Sequence, residues 1–312
     1  IENTGGQVVA VSSLTANADG NINVSSTTST QTNAQGSRTN IDRVGGLYVT
    51  GDNGNLNVTA KNDINFNGAD ISNSGKGGTT TLKATNNLNL DTVTERASNH
   101  IVWDGNNHRS DNMTSDVGTI IQTQGNLTLT AGENLNAKAA TVKSIDGTLM
   151  VTATAGDVNI TTGETTRSAD ESHQHKEKGF LSSKTVTTRD ITDETTVQGS
   201  IFSGKTITMK ANQDIDITGS HIAGTDQVTL TATKGNVSMT SAQQISQEEH
   251  LRNEQKSGLF GGGVFGFTIG KKSEKTDTKD HILNEIGSTV GSTTGSVSIT
   301  AGNEVNSAGT TF

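Results

Sequence analysis

The 312-residue chain contains no cysteine and no proline, one tryptophan, one tyrosine and seven phenylalanines. Without cysteine there is no disulfide framework, no redox chemistry, and nothing to mispair in an oxidising periplasm. Without proline, no residue lacks a backbone donor, which fits a chain hydrogen-bonded strand to strand almost throughout. No run of about 18 apolar residues occurs, so no membrane-spanning helix is encoded. Basic residues are outnumbered, 23 Lys and Arg against 32 Asp and Glu, for a formal charge of −9, and general nucleic-acid binding is disfavoured. Leu, Ile, Val and Phe make up about one residue in five, a share that borders on disordered chains. No stretch carries a sustained 3.6-residue apolar pattern, so almost no helix is expected.

The apolar residues that are present fall in register. Leu127-Thr-Leu-Thr-Ala-Gly-Glu-Asn-Leu-Asn recurs as Ile207-Thr-Met-Lys-Ala-Asn-Gln-Asp-Ile-Asp and as Leu56-Asn-Val-Thr-Ala-Lys-Asn-Asp-Ile-Asn, with looser copies after each and one near the end at Val297. Aligning the residue just after the turn gives a column of Ile22, Ile64, Leu88, Leu135, Val158, Ile215, Val237 and Val305. Close neighbours in it are 22 to 24 residues apart. Strands on either side alternate with period 2, one face buried and one wet. A period in the low twenties built of short strands is the mark of a parallel β-helix, whose coils stack at about 4.8 Å. The expected fold is therefore all-β: a right-handed parallel β-helix (solenoid) with protruding loop or β-hairpin excursions, the hand being the default for parallel crossovers. A thin tube needs fewer apolar residues per coil than a sphere does, which reconciles order with the composition.

Two polar rows flank the column. Asn21, Asp63, Asn87, Asn134, Asp157, Asp214, Asn236 and Glu304 precede it, and Asn or Asp suits a tight corner because both tolerate the left-handed region. Asn23, Asn65, Asn89, Asn136, Asn159, Asp216, Ser238 and Asn306 follow it and should stack outward as a polar row. Asp63, Asp157 and Asp214 raise the question of a carbohydrate-active enzyme, since β-helical lyases and hydrolases cluster carboxylates on one face. Interleaved as they are with asparagines, these read as a structural turn row, and no catalytic residue is assigned. No calcium nonapeptide or phosphate-cradling pattern is present, and Gly261 to Gly263 lack a following Lys-Ser/Thr. His173, His175, Glu171 and His250 are in principle metal ligands, but no third ligand is spaced to close a site, so no metal and no cofactor is expected.

A longer period of 71, 80 and then 90 residues lies over the short one: two plain coils, a polar excursion, a return. The whole chain, residues 1–312, reads as a single rod and as a piece of a longer one, with excursions near 25–42, 92–116, 163–196 and 243–286. The returns align as Val44-Gly45-Gly46, Val117-Gly118-Thr119, Val197-Gln-Gly199-Ser200 and Val290-Gly291-Ser292. The first excursion reads as a solvated loop, and the second holds Trp103. The last two have charged arms around an apolar tip, the pattern of long β-hairpins. Their tips hold Phe180 and Leu181 in one, and Leu259, Phe260, Val264, Phe265, Phe267 and Ile269 in the other, with Lys256, Lys271 and Lys272 alongside. Such a tip packs back on the rod, contacts a partner, or enters a membrane interface beside anionic headgroups.

The tract from Lys256 to Lys271, KSGLFGGGVFGFTIGK, followed by Ile286-Gly-Ser-Thr-Val-Gly-Ser and Val297-Ser-Ile-Thr-Ala-Gly-Asn, resembles the haemagglutinin repeat of filamentous-haemagglutinin-type exoproteins. It is most similar to the second repeat region of contact-dependent growth inhibition toxins. The motif is reduced in the first two units, which lack the Gly-Leu-Phe tip. The resemblance implies a secreted β-helical stalk on the bacterial cell surface, outside the outer membrane, exported by a two-partner-secretion transporter of that membrane. In the toxin subfamily it implies help in carrying a C-terminal toxin across a target cell's envelope, by a receptor or at the membrane interface. A filamentous-adhesin stalk binding host cells or matrix is the alternative, and a β-helical enzyme the third reading.

Overall fold

A computed structural model describes residues 1–262 and 266–311, with side chains outside 261–267 and 311–312. Every regular element among them is a β-strand. The chain winds through eight coils of three strands. Coil 1 is Gln7–Ala10, Ser13–Ala18 and Ile22–Ser25; coil 2 is Gly46–Val49, Asn55–Ala60 and Ile64–Asn67. Coil 3 starts at Asp70–Asn73 and Thr79–Ala84 and turns at Leu88; coil 4 is Ile120–Thr123, Asn126–Ala131 and Leu135–Lys138. In coils 5, 6 and 7 the first two strands merge, as Thr141–Ala153, Ile201–Ala211 and His221–Ala232, before Val158–Thr161, Ile215–Thr218 and Val237–Thr240. Coil 8 is Ser288–Ser292, Ser296–Ala301 and Val305–Ser307. Equivalent strands pair in parallel from coil to coil, as in Ile22↔Ile64, Ile64↔Leu88, Leu88↔Leu135, Leu135↔Val158, Val158↔Ile215 and Ile215↔Val237. The expected inner column is thus one continuous rung line, and its members from Ile22 to Val237 share one buried core running from Leu14 to Val290, while Val305, in the last coil, pairs with Val237 but stays 47 % exposed because no coil covers it.

The row after the column forms the expected outward ladder. Asn65, Asn89, Asn136 and Asn159 each donate Nδ2 to the Oδ1 of the asparagine one coil back, at 2.7–2.9 Å. The row before it works differently from expectation. Its backbone is not left-handed: among the described non-glycine residues only Asn53, Ala139 and Leu181 have positive φ. Its side chains instead accept a backbone N–H from the next coil: Asn87 N to Asp63, Asp157 N to Asn134, Asp214 N to Asp157 and Asn236 N to Asp214. Asn and Asp share that acceptor oxygen, which is why they interchange along the row.

Coils 1, 3, 5 and 7 do not turn their third corner. Each sends out an antiparallel hairpin: hairpin 1, Thr27–Asn33 with Gly36–Arg43; hairpin 2, Leu88–Asp104 with Asn107–Gly118; hairpin 3, Gly163–Gly179 with Ser182–Gln198; hairpin 4, Ala242–Gly262 with Gly266–Ile286. Coils 2, 4, 6 and 8 do turn it, on Gly68, Ala139, Gly219 and Gly309, all at φ between 48° and 67°. The returning chain meets those turns with glycine: a Cβ on Gly118, Gly199 or Gly287 would lie 1.9–2.3 Å from the carbonyl oxygen of Ala139, Gly219 or Gly309. Beside these glycines sits a buried hydroxyl whose one proton is shared between two corner carbonyls, one of each pair also accepting a backbone N–H: Asp91 from Gly68, Thr161 from Ala139 and Thr240 from Gly219. Thr119 donates to Phe66 and Asp91, Ser200 to Thr161 and Ala137, and Ser288 to Thr240 and Ile217. In the first unit, where Gly46 holds the equivalent place, Ser26 donates to Gly68 from the departing side. The fourth return is therefore Ile286-Gly287-Ser288 and not Val290-Gly291-Ser292: Val290 is a buried core residue one strand further on.

Candidate functional site

The four hairpins join into one antiparallel sheet, a blade beside the prism. The trailing strand of each pairs with the leading strand of the next, over four residues between hairpins 1 and 2, eight between 2 and 3, and thirteen between 3 and 4. The match is metrical. A hairpin leaves every second coil, and two coils and two strands both advance about 9.6 Å. The first excursion is thus a hairpin rather than a solvated loop.

Few blade residues are buried on either face. It is held by its ladder and by polar cross-strand pairs: Ser37 with Ser98, Thr114 with Thr166, Ser115 with Thr165 and Ser183 with Ser257, at 2.6–3.0 Å. Arg189 clamps Asp170 with two hydrogen bonds of 2.9 and 2.7 Å, which hold that carboxyl below its usual range. At the root, burial pushes Asp116 up, but its bond to Lys138 of coil 4 and those from Thr94 and the Glu164 N–H outweigh this and leave it low.

The histidines do not converge. His173 faces Glu171 at 2.6 Å and stacks on Trp103 with ring centroids 5.8 Å apart. His175 lies 3.5 Å from Glu177, and His250 lies 2.8 Å from Asp190, which raises its pKa. Among the described residues no three His, Asp or Glu side chains gather around one point. A concavity of about 820 Å³ lies beside the end of hairpin 1 between Arg38, Arg109, Met113 and Arg167.

At the other end, hairpin 4 is a ribbon of 21 residues a side, about 70 Å long at 3.3 Å per residue, so its tip stands far from the prism. The apolar tips do not fold back. Phe180 is 96 % exposed, Leu181 65 %, Leu259 47 % and Ile269 83 %, while Phe260 is half-buried over Gly270. Val264 and Phe265 lie outside the described residues, as does the side chain of Phe267. Behind the tips, a cavity of about 410 Å³ opens between hairpins 3 and 4, lined by Lys178, Lys184, Lys256 and Leu259 among others. Lys256 and Arg252 hold Glu254 ionised down to about 2, and Lys184 lies 3.8 Å from it. Lys176, Lys178, Lys271 and Lys272 have no ion pair among the described residues. The tip region is thus basic on an acidic protein. Lys178 and Lys184 reach it by a pairing between hairpins that their own stretch of sequence does not announce; the likeness of the two excursions was the only signal.

Fold and site together define a parallel β-solenoid stalk bearing a lateral blade with cationic, apolar tips. Residues 179–312 match the haemagglutinin repeat family. The chain is similar to the 16S rRNA endonuclease CdiA of Enterobacter cloacae, 32 % identical over 192 residues that make up 62 % of this chain and 6 % of that protein. It is similar over the same shares to the tRNA nuclease CdiA-2 of Burkholderia pseudomallei, at 26 %, and to the deoxyribonuclease CdiA of Dickeya dadantii, at 30 % over 200 residues. No solved structure gives a significant match. The filamentous-haemagglutinin resemblance therefore stands, and the chain spans only a small fraction of the length of these relatives.

Proposed function

We propose that this chain is a non-catalytic stalk segment of a secreted cell-surface exoprotein, and that its blade tips engage the anionic envelope of a neighbouring bacterium to assist delivery of a C-terminal toxin. The observation that carries this reading is the pair of tips: Phe180 and Leu181 at the turn of hairpin 3 and Ile269 near the end of the ribbon of about 70 Å stand in solvent, backed by lysines without an ion pair among the described residues. Apolar side chains fronting ammonium groups fit a headgroup region, where each lysine near the surface contributes about 1 kcal/mol. The relatives support the absence of catalysis here. Their names specify rRNA, tRNA and DNA as targets, yet all share this stretch, so it does not track the substrate. A two-partner-secretion transporter is the export partner under this reading.

Flotation with vesicles of anionic and of zwitterionic lipid tests it. Wild type should float with the anionic vesicles, and Phe180→Asp with Ile269→Asp should lose most of that binding. Equal binding by both proteins would remove the tips from the function.

A further inference from the structure

The outer edge of hairpin 4 is the one long strand edge of the blade that the described residues leave without a neighbour. Its trailing strand, Gly266–Ile286, pairs only with Ala242–Gly262, whereas the trailing strands of hairpins 1, 2 and 3 are paired on both sides. The pairings between hairpins obey one rule. Position along a leading strand can be counted from the inner-column residue of its coil, Ile22, Leu88, Val158 or Val237. Residues then pair across hairpins only with equals. Thr39, opposite Thr30 at position 8, meets Arg96 at position 8; His108, opposite Val102 at position 14, meets Ser172 at position 14; Ser183, opposite Lys178 at position 20, meets Ser257 at position 20. Opposite charges face each other across these joints at position 13, Arg109 with Glu171 and Asp190 with His250; at position 19 Lys184 faces Lys256, and the carboxylate of Glu254 lies against both.

We infer that the outer edge of Gly266–Ile286 receives the leading strand of a further hairpin of the same repeat, sent out two coils on along the rod, in the register this rule dictates. Position 8 of the incoming strand then lies opposite Leu283, position 11 opposite Asp280, position 14 opposite Asp277, position 16 opposite Lys275 and position 19 opposite Lys272. Those four charged residues have no ion pair among the described residues, while their neighbour Lys279 is engaged by Glu249 at 3.1 Å. The occupant is accordingly a polar, alternating strand with cations near positions 11 and 14 and carboxylates near 16 and 19. Lysines on an open edge discourage indiscriminate strand pairing, and here they also select an acidic partner.

The chain lacks cysteine, so engineered disulfides report register without background. Residues 221–286 are added again after Thr310, where Thr311 stands in the register of His221. The added copy carries Glu248→Lys and Lys256→Glu to suit positions 11 and 19. Leu283→Cys should form a disulfide with Ile245→Cys of the added copy, at position 8, and not with Gln247→Cys, at position 10. Hydrogen exchange of the amides of Gly266–Ile286 that point away from Ala242–Gly262 should slow at least about tenfold on extension. A disulfide favouring position 10, or unchanged exchange in a folded extension, overturns the inference. So does slow exchange of those outward-facing amides in the 312-residue chain itself. So too does an intermolecular disulfide in that chain from Thr276→Cys alone, which would make a second copy the occupant.

Discussion

At the residue scale the prism is governed by which side chains offer a donor and which an acceptor. The outward asparagine ladder ends at Asp216, which has no N–H to give Asn159 Oδ1. Burial raises the pKa of Asp216, against the hydrogen bond from Ser238. A carboxyl whose folded pKa is raised favours the fold only while protonated, so this group weakens the fold as pH rises through its unfolded pKa towards the folded one. Asp216→Asn should extend the ladder and stabilise the chain at pH 7 by about 1 kcal/mol, with little effect at pH 3; denaturant titration at both pH values checks it. Ala139 holds a left-handed corner where the equivalent coils have glycine. Ala139→Gly should relieve that strain and stabilise by about 1 kcal/mol, while Gly219→Ala should destabilise, since its Cβ would lie 2.6 Å from that of Ala242. Ser200→Ala should cost about 1–3 kcal/mol by removing the acceptor of the buried Ala140 N–H and the hydroxyl shared by the Ala137 and Thr161 carbonyls, read as a lower unfolding midpoint.

At the scale of elements, prism and blade differ in what holds them. Leu88, Leu129 and Phe66 have no measurable exposure, and Leu129→Ala should cost about 2–5 kcal/mol. The blade has no core of its own and should open first. Its ion pairs set a pH window. Asp116 and Asp170 are held low, so their contribution is complete above the ordinary carboxylate range, near pH 4, and is lost as pH falls through their folded values. His250 is raised by Asp190, so its contribution is complete below about pH 6.5 and fades as pH rises through its folded value. Limited proteolysis should therefore cut the hairpins slowest near pH 5 and faster at pH 3, while the prism stays intact.

At the scale of the molecule, the prism was legible because its information is local. Ile64, Leu88, Leu135 and Ile215 recur at a fixed spacing beside corner Asn or Asp, and alternation sets their face. The corner at Ala139 was hidden, since nothing in an alanine announces a positive φ. The fourth return was read four residues late because Val290-Gly291-Ser292 imitates Ile286-Gly287-Ser288. The blade was the larger omission. Hairpin 1 is a run of Ser, Thr, Gln and Asn without an apolar tip, and its pairing with residues 96–99 rests on a match between coil and strand spacing rather than on any motif. Of the tip residues, sequence identified the apolar ones and three lysines, but not the lysines that hairpin 3 supplies.

The central claim is that four hairpins and eight coils form one commensurate body. A spin-label distance between Asn99→Cys in hairpin 2 and Glu248→Cys in hairpin 4 tests it most directly. These residues lie in one cross-strand row through Asp111, Ala169 and Thr192, four strand spacings apart. The account predicts a single narrow distribution near 19 Å; a broad one, as four independently waving hairpins would give, would contradict it.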